Sequence, residues 1–288
     1  MMKLRQRAFK FCRVLVRAGV WQLRELVLVG LGLHDELGIS LRGLEEVKNA
    51  DSVFIELYTS LMPDFSLKHF EEICGKRIQV LSRQDIEEEN GECILEAALR
   101  GRAVLLVPGD PLIATTHVAL RIEAEKRKIE TRLIHGASIL SAVISLSGLH
   151  NYKFGKTVTI PFPNGVPPET PYNVISQNIK LGLHTICLLD IRADERRFME
   201  IGEALDVLFE IEAKRREGIV TPRRLAIGIA RAGSTRPQVK ADCVKNLLGH
   251  DFGKPPHTLV FPGSLHFSEA EALVALAGAP KRLLEEDK

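Results

Sequence analysis

From Glu25 onward the chain alternates between short apolar runs and longer stretches in which apolar residues recur every three or four positions. The first run, ELVLVG (25–30), ends in glycine and predicts a buried strand. SVFIEL (52–57), RIQVL (77–81), AVLLV (103–107) and ETRLI (130–134) predict four more. Between them the pattern predicts a helix capped by Ser40 and running to about Ala50, and another from Glu92 to Arg100 stopped by Gly101. A charged helix over 117–128 and a small-residue helix over 138–147 complete this half. The alternation then restarts. TVTI (157–160), HTICLL (184–189), RLAIGIA (224–230) and HTLVF (257–261) predict strands, and 172–181, 195–216, 242–248 and 267–277 predict helices.

Strands that alternate with helices need crossover connections, which build parallel sheets. Two rounds of the pattern predict two α/β domains with mainly parallel sheets and a cofactor cleft between them, since such clefts are common ligand sites. The expected division is an N-terminal domain over 24–150 and a C-terminal domain over 151–288, meeting near GLHNYKFGK (148–156). Residues 1–23 stand apart. They carry Lys3, Arg5, Arg7, Lys10, Arg13 and Arg17 and no acidic residue. That is the pattern of a basic amphipathic helix or targeting segment, or of an extension from an upstream start codon with no role.

Composition narrows the classes. A chain of 288 residues with 45% apolar content can bury two cores. Its 39 basic and 37 acidic residues leave a net charge of +2, which makes no electrostatic demand for nucleic acid. No run reaches the length of an apolar membrane span. The five cysteines are odd in number, dispersed and without a C-x-x-C pair, so neither a disulfide framework nor a zinc site is expected, and a cytoplasmic location is.

The chemistry-bearing stretches lie after strands. VGLGLHDELGISLRG (29–43) places Asp35 where a dinucleotide fingerprint needs its third glycine, so it is no Rossmann phosphate loop. LLVPGDPLIATTH (105–117) runs from a strand into a turn stiffened by Pro108 and Pro111. Gly109 lets backbone approach a ligand, and Asp110 either accepts hydrogen bonds from a ribose or ammonium group or caps the turn. In HGASILSAV (135–143), Ser138 is an N-cap whose helix end also suits a ligand. IARAGST (229–235) and GKPPHTLVFPG (253–263) are two further strand-edge loops; His117 and His257, taken singly, read as structural. No H-E-x-x-H, G-x-S-x-G or Walker A pattern is present, so no metal is expected and no catalytic acid or base is named.

Taken in order, GLGL, GDPLIATTH, HGASILSA, SGLHNYKFGK, ARAGS and DFGKPPH resemble the diphthine synthases, a family within the tetrapyrrole-methylase class. The resemblance runs from about Leu26 to the C-terminus. It implies an S-adenosylmethionine-dependent methyltransferase, homodimeric, with the cofactor folded between two unequal α/β domains. It implies elongation factor two as protein substrate, methylated on the amino nitrogen of an aminocarboxypropyl-extended histidine. Carried over, the cofactor contacts are Leu33, Asp110, Ile113, Ser138, Ile139, Leu188, Ala232 and His257. A porphyrin-precursor C-methyltransferase of the same class is the rival; such proteins show a GxGPGD first loop, where this chain has Leu33-His34-Asp35. A binding module that keeps the fold without activity is the other. Residues 1–22 fall outside the resemblance. A chain beginning at Leu23 is therefore expected to melt within a few degrees of the full chain and to retain its activity; loss of either would show that the basic segment packs or functions.

Overall fold

The computed structural model describes residues 23–285, so the basic segment before Leu23 lies outside the described residues. The chain divides into two compact units.

Among the described residues, the first unit comprises 23–31, Ile39–Leu57 and Ser66–Gly136. Its sheet has the order β3-β2-β4-β1-β5, from β1 (Glu25–Gly30), β2 (Ser52–Glu56), β3 (Gln79–Leu81), β4 (Arg102–Val107) and β5 (Glu130–Ile134). Every pairing is parallel. A parallel sheet is covered on both faces, which is why its central strands read as unbroken apolar runs. Leu26 to Val29 and Ala103 to Val107 are all fully buried. The crossovers are α1 (Leu41–Asn49), α2 (Leu67–Cys74), α3 (Glu92–Arg100) and α4 (Val118–Lys126). Ser40 caps α1 as expected, accepting from the Gly43 N–H at 3.0 Å. Helix α2 was not anticipated; its Ser66 cap was the available signal. At the N-terminal strand ends, buried Glu25 and Glu46 are neutralised by Arg102 and Arg132.

The second unit comprises Gly32–Gly38, Tyr58–Phe65 and 137–285. Its sheet has the order β11-β10-β12-β7-β6, from β6 (Val158–Ile160), β7 (Thr185–Leu189), β10 (Leu225–Ala230), β11 (Gln238–Cys243) and β12 (His257–Phe261). Here the expectation of a mainly parallel sheet is corrected: only β6 and β7 run parallel, and the other three pairings are antiparallel. The physical reason is the short connection from β10 to β11, which permits a hairpin and no crossover. QVKADC, expected partly as helix, is therefore a strand; the helix α8 is only Val244–Leu248. A small hairpin, β8 (Ile191–Arg192) with β9 (Arg197–Phe198), precedes α7 (Ile201–Arg215).

One face of this sheet packs on α6 (Thr170–Lys180), α7 and α8 through Tyr172, Ile175, Leu205, Leu208 and Leu247. The other packs on α5 (Ile139–Ser147) and α9 (Phe267–Ala277) through Val143, Ile186, Ile227, Val260 and Leu273. The division between units thus falls at Gly136–Ala137 and not near residue 150, because the apolar side of α5 is buried against the second sheet.

A buried carboxylate ties α9 to β7. Glu269 is fully buried and takes an ion pair from Lys153 at 2.6 Å, N–H bonds from His150 and His266, and a bond from His184 Nε2 at 3.0 Å. His184 Nδ1 accepts from the Gly263 N–H, so Nε2 must carry the proton that it donates to Glu269. Burial pushes the His184 pKa down, which suits this neutral ring. Burial alone would raise the Glu269 carboxyl, but Lys153 and the two N–H donors outweigh it and hold it at about 2 against an ordinary 4.5. A depressed folded pKa contributes stability above the ordinary value that is lost as the pH falls toward the folded one. Glu269→Gln is expected to cost roughly 3 kcal/mol near pH 7. Urea titrations of the variant should lose less stability between pH 4.5 and 2 than those of the parent chain.

Candidate functional site

In the first unit the chain leaves β1 for β2 on one side and leaves β4 for β5 on the other, although β1 and β4 are neighbours. The strand order reverses between them. In open parallel sheets, ligands bind beyond the carboxyl ends of the strands at such a reversal. The loops found there are the two singled out in the sequence, GLGL after β1 and GDPLIATTH after β4.

Gly30, Gly109 and Gly136 bring the ends of β1, β4 and β5 into backbone contact. A Cβ on Gly30 would stand 2.5 Å from the Gly109 carbonyl oxygen and 2.6 Å from the Gly136 nitrogen, and one on Gly136 would strike the same oxygen. No real side chain tolerates that approach, so Gly30 and Gly136 require glycine, while Gly109, with φ at 72°, lies in the left-handed region that favours it. Asp110 follows directly. It is buried; its Oδ1 accepts from the Leu112 N–H at 3.2 Å, and its Oδ2 lies 2.8 Å from His135 Nδ1. Both oxygens thus have one partner, and a carboxylate has further lone pairs to offer a ligand. Ile113 is exposed in the same loop, its N–H bonded to the Asp110 carbonyl. His117 is buried against Glu56 at 3.3 Å, the structural role read from the sequence. The pairing of Asp110 with His135 was not anticipated.

The second unit gathers the other expected residues. Ile139, Leu188 and Ala232 pack against one apolar cluster on the α5–α9 face of the second sheet. Ser138 caps α5, its Oγ accepting from the Leu140 N–H at 3.2 Å. Leu33 abuts Gly233, where a Cβ would collide with the Leu33 side chain, so Leu33 stands beside Ala232. Next to it, His34 Nδ1 is buried with no partner, while Nε2 lies 3.1 Å from Asp64. A buried polar atom without a partner is costly, so this nitrogen is suited to a ligand.

His257 joins this group through its backbone. It sits opposite Ala230, and the next residue, Thr258, sits opposite Leu188. Its ring lies on the other face of the sheet, 6.0 Å from the Phe252 ring centroid, with Nε2 bonded to the Gly253 carbonyl. Burial lowers the ring's pKa, so the imidazole is neutral at pH 7. A ligand on the Leu188 side would meet the main chain of His257 rather than its ring.

The model of the tetrapyrrole (corrin/porphyrin) methylase family matches residues 25–245. A diphthine synthase of Methanosarcina mazei is 50% identical over 266 residues, covering 90% of this chain and 98% of the relative. One from Methanocaldococcus jannaschii is 47% identical over 251 residues, covering 86% and 97%. A solved crystal structure of a diphthine synthase superposes with a TM-score of 0.81 at 44% identity, covering 91% of this chain and 99% of that one. The chain therefore belongs to the tetrapyrrole methylases and, within them, to the diphthine synthases. It is a methyltransferase.

Proposed function

We propose that this chain transfers methyl groups from S-adenosylmethionine to the amino nitrogen of the aminocarboxypropyl-modified histidine of elongation factor two, giving diphthine. The observation that carries the reading is the near-complete coverage of curated diphthine synthases at about half identity. That identity disfavours the porphyrin-precursor alternative. A homodimer and a cytoplasmic location are part of the same reading; among the described residues no helix is long and apolar enough to cross a membrane.

Each unit carries groups of a kind that suits the cofactor. In the second unit Leu33, Ile139, Leu188 and Ala232 offer apolar surface, and Ser138, the backbone of His257 and the unpartnered His34 Nδ1 offer polar atoms. In the first unit Asp110 offers a buried carboxylate. Ile113, exposed beside Asp110, adds apolar surface from the same loop. When bound, the cofactor supplies an electrophilic methyl on a sulfonium. The chain's own part is to orient: a Pro-stiffened loop loses little conformational freedom when it closes on a ligand. In-line placement of amine and methyl can supply up to about 7–11 kcal/mol of the acceleration.

Asp110→Ala is expected to weaken binding of S-adenosylhomocysteine by roughly 1–3 kcal/mol, the worth of a hydrogen bond to a charged group, with the fold intact. Calorimetry together with a melting curve checks it. Unchanged affinity with a lowered melting temperature would reduce Asp110 to a turn residue.

The substrate assignment is tested by mass spectrometry of elongation factor two with and without its aminocarboxypropyl group. Methylation is expected only on the modified factor, at the amino nitrogen. The rate should rise with pH, because the acceptor reacts as the neutral amine and a free α-amino group titrates near roughly 7.7–8.0. Equal methylation of the unmodified factor, or methyl on a ring nitrogen, would overturn the assignment.

A further inference from the structure

Methylating an amine creates a proton that has to go somewhere. At pH 7 an α-amino group with a pKa near roughly 8 is about nine-tenths protonated. It must lose one proton before the first methyl, and the methylated ammonium must lose another before each later one. We propose, on the basis of the substrate reading above, that His135 is the group that takes these protons, making it a catalytic residue of the reaction.

Three observations carry the inference. The first is tautomer control. Asp110 is buried and its carboxylate only accepts hydrogen bonds, so His135 Nδ1, 2.8 Å away, is the protonated nitrogen of the neutral ring. Nε2 is then left with its lone pair, ready to accept a proton. The imidazolium formed afterwards is stabilised by the same carboxylate. The second is access. The Asp110 side chain is only 8% exposed but that of His135 is 74% exposed, so one end of the pair is fixed and the other reaches substrate and water. A ring in that position can accept a proton from the ammonium and pass it to solvent before the next cycle. The third is place. His135 precedes Gly136, whose backbone packs on Gly30 and Gly109 at the strand reversal between β1 and β4.

Of the other titratable groups that follow these strands, His34 and Asp35 after β1 belong to the second unit, where His34 Nε2 faces Asp64, and Glu56 and His117 lie at the end of β2 and the start of α4, beyond β1 and β4 from His135. Glu56 and His117 pair with each other at 3.3 Å and are fully enclosed. Asp110 is the one charged partner of His135 among the described residues.

The step balances. His135 Nε2 takes a proton from the acceptor ammonium. The freed lone pair on nitrogen forms a bond to the sulfonium methyl carbon as the carbon–sulfur bond breaks, and that electron pair stays on sulfur. The product nitrogen is again positively charged and bears hydrogen until three methyls are in place. At that point no N–H remains and His135 has no further proton to take.

The test compares the parent chain with His135→Ala and His135→Gln, using aminocarboxypropyl-modified elongation factor two in single turnovers from pH 6.5 to 9.5. The inference expects S-adenosylhomocysteine affinity by calorimetry to stay within about twofold of the parent. It expects the methyl-transfer rate to fall roughly tenfold at pH 7, the ratio of protonated to neutral amine there. That deficit should shrink as the pH rises and the amine deprotonates unaided. Nitrogen NMR of the parent chain should show His135 as the Nδ1–H tautomer, and Asp110→Asn should abolish that preference. A variant that binds the cofactor product tenfold more weakly and keeps the parent pH profile would make His135 a prop for Asp110 and overturn the inference. So would a rate deficit that is constant with pH, or an Nε2–H tautomer in the parent chain. If the parent chain transfers no methyl at all, the substrate reading falls and the inference falls with it.

Discussion

The ends of three parallel strands meet in the first unit with no side chain between them. Gly30, Gly109 and Gly136 touch backbone to backbone, and much of the candidate site follows from that contact. Because β1, β4 and β5 converge there, residues that follow the three strands in different loops come within hydrogen-bonding range. Asp110 and His135, 25 positions apart, are held at 2.8 Å by it. A methyl group on Gly30 or Gly136 would force the strand ends apart. Overpacking against rigid backbone is relieved only by moving backbone. The Asp110–His135 distance and the loop after β4 depend on that approach.

The second unit solves a different problem with different means. Its sheet is largely antiparallel, so β10 joins β11 by a short hairpin, and its faces are covered by helices from distant parts of the chain. The apolar group of Ile139, Leu188 and Ala232 is a by-product of core packing: all three are partly buried flanks of the cluster built on Ile186, Ile227 and Val260. A surface of this kind needs no dedicated loop, since the edge of a hydrophobic core already offers a place for an aromatic ring. The buried Glu269 with Lys153 and His184 then secures α9 to β7 beneath it, at the opposite end of the β7–β12 ladder from Leu188.

How far the sequence could be read follows from these differences. Central parallel strands are buried on both faces, so β1 and β4 announce themselves as apolar runs and their positions are read to within a residue or two. QVKADC alternates instead, as an edge strand does, and a reading that expected helices between strands passed over it. The placement of α5 was not legible because an apolar helix carries no mark of which sheet will cover it. Loop residues such as Asp110 and Ser138 were legible as motif positions. The partner of Asp110 was not, since nothing in HGAS (135–138) shows that its histidine faces the loop after β4. For His257 the residue was legible but the contributing atoms were not: strand alternation decides that its ring turns toward Phe252.

Histidines distribute over this chain in a way that burial and partner accounting make intelligible. His184 has both ring nitrogens engaged, one accepting from Gly263 and one donating to Glu269, and can neither gain nor lose a proton without breaking the junction it holds. His117 is enclosed against Glu56. His257 is kept neutral by burial and points into the core of the second unit. His34 has an unpartnered Nδ1, but with its side chain only 12% exposed it suits a hydrogen bond to a bound group better than a proton exchanged with water. His135 alone among these five combines an oriented ring with an open second nitrogen. A group that must load and unload a proton at each turnover needs both properties, because orientation without access traps the proton and access without orientation leaves the tautomer to chance. The same glycine contact that brings β5 to β4 supplies the orientation, and the end of an edge strand supplies the access.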